Sequence, residues 1–229
     1  MQEIQKTADG SPTIYDDSFG ESLHSTHGSI TESRHIFIEQ GLLQFSKTSI
    51  DILEIGYGTG LNAVLSYEAA KQHHIKIRYW GIEKYPPTAE IQSQFNSALP
   101  LNIQTTANHL SEAQWNQTTQ ISIFFEIQKL QRDFLDFIPP RRFDLIYFDP
   151  FSPEKHPEAW DAVFLKRISE KHMQNGALLL TYSSKGVVKQ GLRAAGLIVQ
   201  RLKGPPGKRH IISAKKICTN DNNHYIWRG

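Results

Sequence analysis

The segment 50–55 (IDILEI) restricts the fold of this 229-residue chain more than any other, because a glycine turn follows it at once. A short, apolar, β-branched run of this kind reads as a buried strand. Gly56, Gly58 and Gly60 let the backbone bend sharply, and residues 59–73 then continue as a helix. The same unit recurs. Residues 75–82 (IKIRYWGI) predict a second strand ending at Glu83, with Pro86 and Pro87 suited to the first turn of the next helix. Residues 121–127 and 143–148 (FDLIYF) predict a third and a fourth strand, and 177–182 (ALLLTY) a fifth. Helices fit 158–173, stopped by Asn175 and Gly176, and 187–195, stopped by Gly196. Residues 197–202 and 210–214 predict two last strands about a Gly-Pro-Pro-Gly turn. Strands alternating with helices at this spacing predict one α/β domain with a mostly parallel sheet covered on both faces. The closing pair, with no helix between its strands, predicts an antiparallel strand at one edge.

The amino-terminal part is harder to read. Residues 1–28 are rich in Ser, Thr, Asp, Gly and His without periodicity, and are expected to form an irregular arm. Ser29 and Glu32 match a capping box, so a helix is expected from Ser29, opening a domain at 29–216. Ile30, Phe37, Ile38, Leu42 and Phe45 can share its apolar stripe. Residues 96–120 are polar and give no clear pattern, and 217–229 are left as a tail.

Open α/β sheets bind ligands at the carboxyl ends of their strands, where the strand order reverses, and segment 54–60 (EIGYGTG) lies at such an end. Its glycines fall at alternate positions. A dinucleotide fingerprint needs G-x-G-x-x-G, and the third glycine position is here Leu61, so a diphosphate cradle is incomplete. Glu54 would repel a phosphate but suits an ammonium group or a bound water. An acidic residue followed by G-x-G-x-G is the pattern of S-adenosylmethionine (SAM) binding, and this loop is similar to it. Glu83 is placed to accept both ribose hydroxyls, Asp133 to contact the adenine amine or its surroundings, and Asn62 joins the same cofactor-binding set. A glycine turn without a ligand is the plainer alternative; Glu83 and the strand order weigh against it. Seven strands ending in a hairpin resemble the Rossmann-like class I SAM-dependent methyltransferase fold.

The fourth strand runs straight into segment 149–153 (DPFSP), followed by Pro157 and Trp160. This loop should face the same carboxyl edge, stiffened by its prolines. Asp149 can accept hydrogen bonds from an amine and orient its lone pair; Phe151 and Trp160 can stack on a base or exclude water. Trp160 reads more readily as core, and Asp149 has an alternative as a capping carboxylate. A buried strand feeding a carboxylate into the ligand edge favours function. Tyr182 suits a pocket wall or the core equally. The histidines, among them His24, His27, His73 and His74, show no spacing that gathers three or four ligands, so no metal is expected.

Composition excludes other classes. No run of about 18 apolar residues exists, so no membrane span is expected. The polar start carries no secretory pattern. Cys218 is the single cysteine, which rules out an intrachain disulfide and fits a reducing, cytoplasmic setting. Charge is uneven: residues 185–220 hold nine Lys or Arg and no acid, whereas the rest of the chain has 16 basic against 23 acidic residues. Such a split suggests an anionic partner such as nucleic acid, or else a merely solvated surface. Lys203, Lys208 and Arg209 flank the Gly-Pro-Pro-Gly turn, and Lys185, Lys189 and Arg193 would extend the patch.

The stretches EIGYGTGLN, GIEKYP, YFDPFSPEKHPEAW and TYSSKGVVKQGLRAAGLIVQRLKGPPGKR resemble the methyltransferase domain of the MnmC family, bifunctional bacterial enzymes that finish a modified wobble uridine in tRNA. The segment YDDSFGESLHSTHGSITESRHIFIE is similar to that family's arm and first helix. The resemblance covers nearly the whole chain except the region around 96–120 and the tail after Lys216. Its most specific part is D-x-F-S-P-x-x-x-P-x-x-W from Asp149 to Trp160. It implies N-methylation of the 5-aminomethyl group of (2-thio)uridine at the wobble position, giving 5-methylaminomethyl-(2-thio)uridine. Glu54, Gly56, Gly58, Gly60 and Glu83 would hold SAM, and Asp149 would sit at the reacting amine. Phe151, Pro153 and Tyr182 would meet the substrate, with Lys203, Lys208 and Arg209 on the phosphates of the tRNA anticodon loop. The family's second domain is flavin-dependent; a chain of this length has no room for it, so no FAD is expected. The aminomethyl substrate would come from other enzymes. Two further readings remain open: an aminopropyltransferase, and a class I methyltransferase acting on a small amine or a protein.

Overall fold

A computed structural model describes residues 2–217. Its main sheet has eight strands: β4 (Ser49–Ile55), β5 (Lys76–Glu83), β6 (Thr118–Ser122), β7 (Phe125–Gln131), β8 (Phe143–Phe148), β9 (Met173–Thr181), β10 (Leu197–Lys203) and β11 (His210–Lys216). A second, antiparallel sheet is made by β1 (Gln2–Lys6), β2 (Pro12–Asp16) and β3 (Glu21–Ser22). The main sheet runs β10-β11-β9-β8-β4-β5-β7-β6. Strand order therefore reverses between β4 and β8, which pair in parallel with Glu54 opposite Tyr147. This is the crevice where a doubly wound sheet takes its ligand.

The central strands are buried on both faces, which is why they read as continuous apolar runs rather than alternating ones. In β4, Ile50 and Ile52 pack into one core layer with Tyr79, Ile127 and Leu145, while Leu53 and Ile55 point to the other with Ile82, Ile146 and Phe148. Helices α2 (Leu61–His73), α3 (Ala89–Ala98) and α4 (Leu101–Glu112) follow β4 and β5; α5 (Ala162–Arg167) and α6 (Gly186–Ala194) flank β9. α2 starts after Gly60 and ends at His74, both left-handed, with φ of 79° and 57°.

Several expectations need correction. Residues 2–22, read as an irregular arm, carry the three-stranded sheet, whose middle strand buries Thr13 and Ile14 although the segment is too short to show a period. The helix expected from Ser29 is present as α1 (Ser29–Ser33), continuing as a π-helical turn over Arg34–Glu39. Its capping box does not form. Ser11 Oγ accepts from the amides of Ser29 (3.1 Å) and Ile30 (3.3 Å), and Asp9 Oδ2 from that of Thr31 (3.2 Å). The cap comes from the preceding sheet, and Glu32 is left for other work.

The strand expected at 121–127 is a hairpin, β6 antiparallel to β7, and the unread stretch before it supplies α4 and β6. The sheet thus has eight strands rather than seven. The helix expected at 158–173 is broken: a 3-10 turn (Pro157–Trp160), then α5 capped by Asp161, whose side chain accepts from the Val163 amide at 2.7 Å, then a π-helical turn (Ile168–His172). The antiparallel strand of the closing pair, β11, lies inside the sheet between β9 and β10; the antiparallel edge strand is β6. Cys218 and the tail beyond Ile217 lie outside the described residues. Among the described residues no helix is long and apolar enough to cross a membrane.

Candidate active site

The carboxyl ends of β4, β5 and β8 converge on one cavity of about 460 Å³. The glycine turn is tied to both neighbouring strands. Gly56 and Tyr57 amides donate to Ile82 O at 3.1 and 3.0 Å, and the Asp149 amide donates to Ile55 O at 2.9 Å. Gly56 has φ of +87°, and a Cβ there would lie 2.5 Å from the Asp149 carbonyl oxygen. The side-chain-free position is thus what lets the 149–153 loop close on the glycine loop. Glu83 caps the arrangement: its carboxylate accepts from the Gly58 amide and the Tyr85 amide, each at 3.0 Å.

Gly56, Gly58, Asn62, Glu83, Asp149 and Phe151 line this cavity, as expected from sequence, and Tyr182 joins them. Tyr182 donates its hydroxyl to Pro150 O at 2.9 Å, which fixes its ring on the loop. Asp149 is pushed up to about 8, first by burial and then by the Glu32 carboxylate; the Asn62 hydrogen bond and Lys208 pull the other way. Trp160 is core, as read: it is buried and donates its indole N–H to Phe151 O at 2.8 Å, holding the loop from below.

Five expected residues stand elsewhere. Gly60 does not line the cavity: it closes the glycine turn at φ +79°, where a Cβ would lie 2.5 Å from the Tyr57 hydroxyl. Glu54 is fully buried behind the glycine loop, accepting from Asn62 Nδ2 and from the Tyr79 hydroxyl, both at 2.7 Å. It does not line the cavity itself; it aligns Asn62, whose Nδ2 also donates to Asp149 Oδ2 at 3.0 Å. Asp133 caps a short turn through the Leu135 amide (2.9 Å) and pairs with Lys84 (2.9 Å), and Phe134 takes its place on the cavity wall. Pro153 lies off the cavity. Lys208, expected on phosphate, is ion-paired with Glu32 over the Tyr182 ring. Lys203 and Arg209 are exposed.

Burial raises the Glu54 carboxyl well above its ordinary value, and the Asp149 and Glu83 charges add to this. The unfolded chain ionises Glu54 near 4.5, so the folded state loses stability as pH climbs from there toward the folded value. Glu54→Gln keeps an acceptor for Asn62 and removes that loss. Its expected melting temperature at pH 7 equals or exceeds wild type, whereas the advantage vanishes below pH 4. A lower melting temperature at pH 7 would show that Glu54 serves as a buried anion.

The sequence reading missed the contribution of the amino-terminal sheet. Phe19 stacks on Phe151 with ring centroids 4.0 Å apart and 15° between planes. Glu21 Oε2 accepts from the Ser152 amide at 3.1 Å. Leu23, His24 and Glu32 also line the cavity. The only sequence signal for Glu32 was a capping pattern that Ser11 and Asp9 satisfy instead.

The residues fit SAM. The cavity lies within the range of about 300–1,000 Å³ typical of small-molecule sites. Asn62 Oδ1 is a buried acceptor without a partner among the described residues, suited to an ammonium group. The Glu83 carboxylate stands where ribose hydroxyls would reach it, and the lysine on the same wall, Lys84, is paired with Asp133 at 2.9 Å. No group of three or more potential metal ligands occurs among the described residues.

Comparison with known proteins agrees with this chemistry. A family profile described as S-adenosyl-L-methionine-dependent methyltransferase matches residues 88–217. The chain is 27% identical, over 88% of its length, to the tRNA 5-methylaminomethyl-2-thiouridine biosynthesis bifunctional protein MnmC of Methylobacillus flagellatus. It is 30% identical, over 86% of its length, to the protein of the same name from Ectopseudomonas mendocina. It spans 33% and 32% of those two proteins, about a third of each. The solved structure of MNMC2 from Aquifex aeolicus superposes with a TM-score of 0.78 at 25% identity, covering 93% of this chain and 69% of that one. The profile reaches over more than half of the sequence, and on that ground, with the glycine loop and Glu83 in place beside it, this chain belongs to the S-adenosyl-L-methionine-dependent methyltransferase family.

Proposed function

We propose that the chain N-methylates the 5-aminomethyl group of (2-thio)uridine at the wobble position of tRNA, giving 5-methylaminomethyl-(2-thio)uridine. The observation that carries this reading is Asp149: a carboxyl of raised proton affinity that lines the same cavity as the glycine loop, Glu83 and the stacked Phe19 and Phe151 rings. The names of the MnmC relatives support the substrate. The reading places this step after the enzymes that install the aminomethyl group, with the anticodon loop as partner and the cytoplasm as setting.

When bound, SAM supplies an electrophilic methyl group on its sulfonium. Gly56, Gly58 and Glu83 would hold its nucleoside, and Asn62 Oδ1 its amino group. The residues of the chain must then present a neutral amine. An alkyl amine has a pKa of about 10 and arrives protonated. Moving its proton to an ordinary aspartate, near 3.9, costs about 8 kcal/mol. Moving it to a carboxylate titrating near 8 costs about 3 kcal/mol. Burial of Asp149 therefore converts a residue that would only bind the ammonium into one that can accept its proton. Asn62 fixes Oδ2, leaving Oδ1 for the amine. Phe151 and Phe19 offer flat faces on which an extruded uracil can stack, and they keep water from the reacting atoms.

Asp149 accepts a proton only when ionised. The expected pH profile of kcat/KM therefore rises through about pH 8 in wild type, and in Asp149→Asn the rise moves up toward the amine's own pKa of about 10. A flat profile between pH 6.5 and 9 in wild type would contradict the assignment.

Lys203 and Arg209 suit phosphate contacts. The Lys203→Ala/Arg209→Ala pair is expected to weaken tRNA binding uniformly across sequences and to lower the slope of log K against log salt by about 2. An unchanged slope, measured by filter binding between 50 and 200 mM salt, would move the tRNA surface elsewhere. The function itself is tested by expressing the chain in a bacterium disabled for this last methylation. Chromatography of its tRNA nucleosides should show methylaminomethyl-uridine restored and aminomethyl-uridine consumed; persistence of the latter refutes the proposal.

A further inference from the structure

The motif left unused by the chemistry above is the Gly-Pro-Pro-Gly turn and the lysine that follows it. Its backbone is pinned: the Lys208 amide donates to Pro205 O at 2.9 Å and the Gly204 amide to Arg209 O at 3.1 Å. A Cβ on Gly204 would lie 2.3 Å from Lys208 O, so this close turn admits no side chain there. The turn delivers one flexible side chain inward. Lys208 Nζ pairs with Glu32 Oε1, and it stands over the Tyr182 ring, 4.4 Å from the centroid. The Glu32 side chain is 11% exposed and that of Lys208 28%. Glu32 and Tyr182 line the same cavity as Asp149.

A carboxylate and an aromatic face holding a primary alkylammonium constitute a recognition site for that chemical class. The substrate proposed above carries the same group, an R–CH₂–NH₃⁺ cation, and must bring it to Asp149. We infer that Glu32 and the face of Tyr182 form the subsite for the substrate's ammonium, and that Lys208 occupies it until the aminomethyl group takes its place. The inference rests on the amine-methylating reading. Glu32 Oε2 is held by the Ser25 amide at 3.0 Å, so the carboxylate keeps its position when Lys208 leaves. The four-carbon stem of Lys208 can swing outward beside the exposed Arg209 and Lys203, where its charge meets tRNA phosphate. Docking of the anticodon loop and opening of the amine subsite thereby become one event. Glu32 acts here as a positioning residue, receiving the cation beside Asp149 before proton transfer.

The test is calorimetric binding of the nucleoside 5-aminomethyluridine, with S-adenosylhomocysteine present, to wild type, Lys208→Met and Glu32→Gln. The nucleoside has no phosphate, so any role of Lys208 on tRNA phosphate drops out. If Lys208 fills the subsite nine-tenths of the time, its removal tightens nucleoside binding about tenfold. Glu32→Gln retains an oxygen for Ser25 and weakens it about 10- to 100-fold. Unchanged binding of S-adenosylhomocysteine reports that each variant is folded; should Glu32→Gln fail that control, Lys208→Met decides alone. Equal or weaker binding by Lys208→Met, or wild-type binding by folded Glu32→Gln, overturns the inference. The expected ranking without methyl transfer in wild type would keep the ammonium subsite and refute the methylation reading.

Discussion

Replacing Asp149 with asparagine is expected to lower methyl transfer about 10²- to 10⁴-fold, the range for a positioned group that accepts a proton at the reacting atom. Asparagine preserves the shape of the side chain and an oxygen that can accept from Asn62 Nδ2, so the loop should remain folded. It cannot take a proton from an ammonium. The loss should therefore fall on kcat, with the dissociation constant for SAM within a few-fold of wild type in equilibrium binding. Glu54 and Asn62 lie behind Asp149 and hold it from the sheet side, so their intact network separates this variant from a folding defect. A variant that retains a tenth or more of wild-type turnover at pH 8 would remove Asp149 from the chemistry.

The second large effect is expected at Gly56, and it falls on the cofactor instead. Gly56→Ala puts a Cβ 2.5 Å from the Asp149 carbonyl oxygen and 2.9 Å from its carbon, both backbone atoms that a rotamer change cannot move. The left-handed backbone adds about 1–2 kcal/mol for a residue with a Cβ. Together with the displaced loop, a loss of 2–4 kcal/mol in SAM binding corresponds to about 30- to 1,000-fold in affinity. Gly196→Ala is the matched control: φ is +79° there too, but nothing lies within 4 Å of the added Cβ. It should cost some stability and leave SAM affinity unchanged. Equal SAM binding by Gly56→Ala and wild type would show that the glycine loop does not shape the site.

Much of this was legible in the sequence because the decisive elements are locally encoded. The apolar runs of β4 and β8 are buried on both faces, so their composition alone marks them, while β5 shows itself by alternation, with Lys76 and Arg78 exposed between buried Ile77 and Tyr79. Gly56, Asn62, Glu83 and Asp149 are brought together by topology alone, since all lie at or after the ends of strands that finish at one edge of the sheet. What the sequence concealed depends on contacts distant along the chain. Glu54 read as a ligand-facing acid, yet β4 turns it inward to Tyr79 and Asn62. Asp133 read as an adenine contact, yet Lys84 and a capping bond claim it. The three strands of residues 2–22 are too short to show a period, so Phe19, Glu21 and His24 could not be assigned to the cavity. Lys208 looked like one charge of a basic patch; only the folded turn brings it 176 positions back along the chain to Glu32.

The most direct test of the account is methyl transfer from labelled SAM to two tRNA pools, one carrying aminomethyl-uridine at the wobble position and one lacking the aminomethyl group, with the labelled nucleoside identified by mass. The account predicts label in the first pool alone, all of it in 5-methylaminomethyl-(2-thio)uridine. Label in both pools, or in neither while SAM is bound, would contradict it.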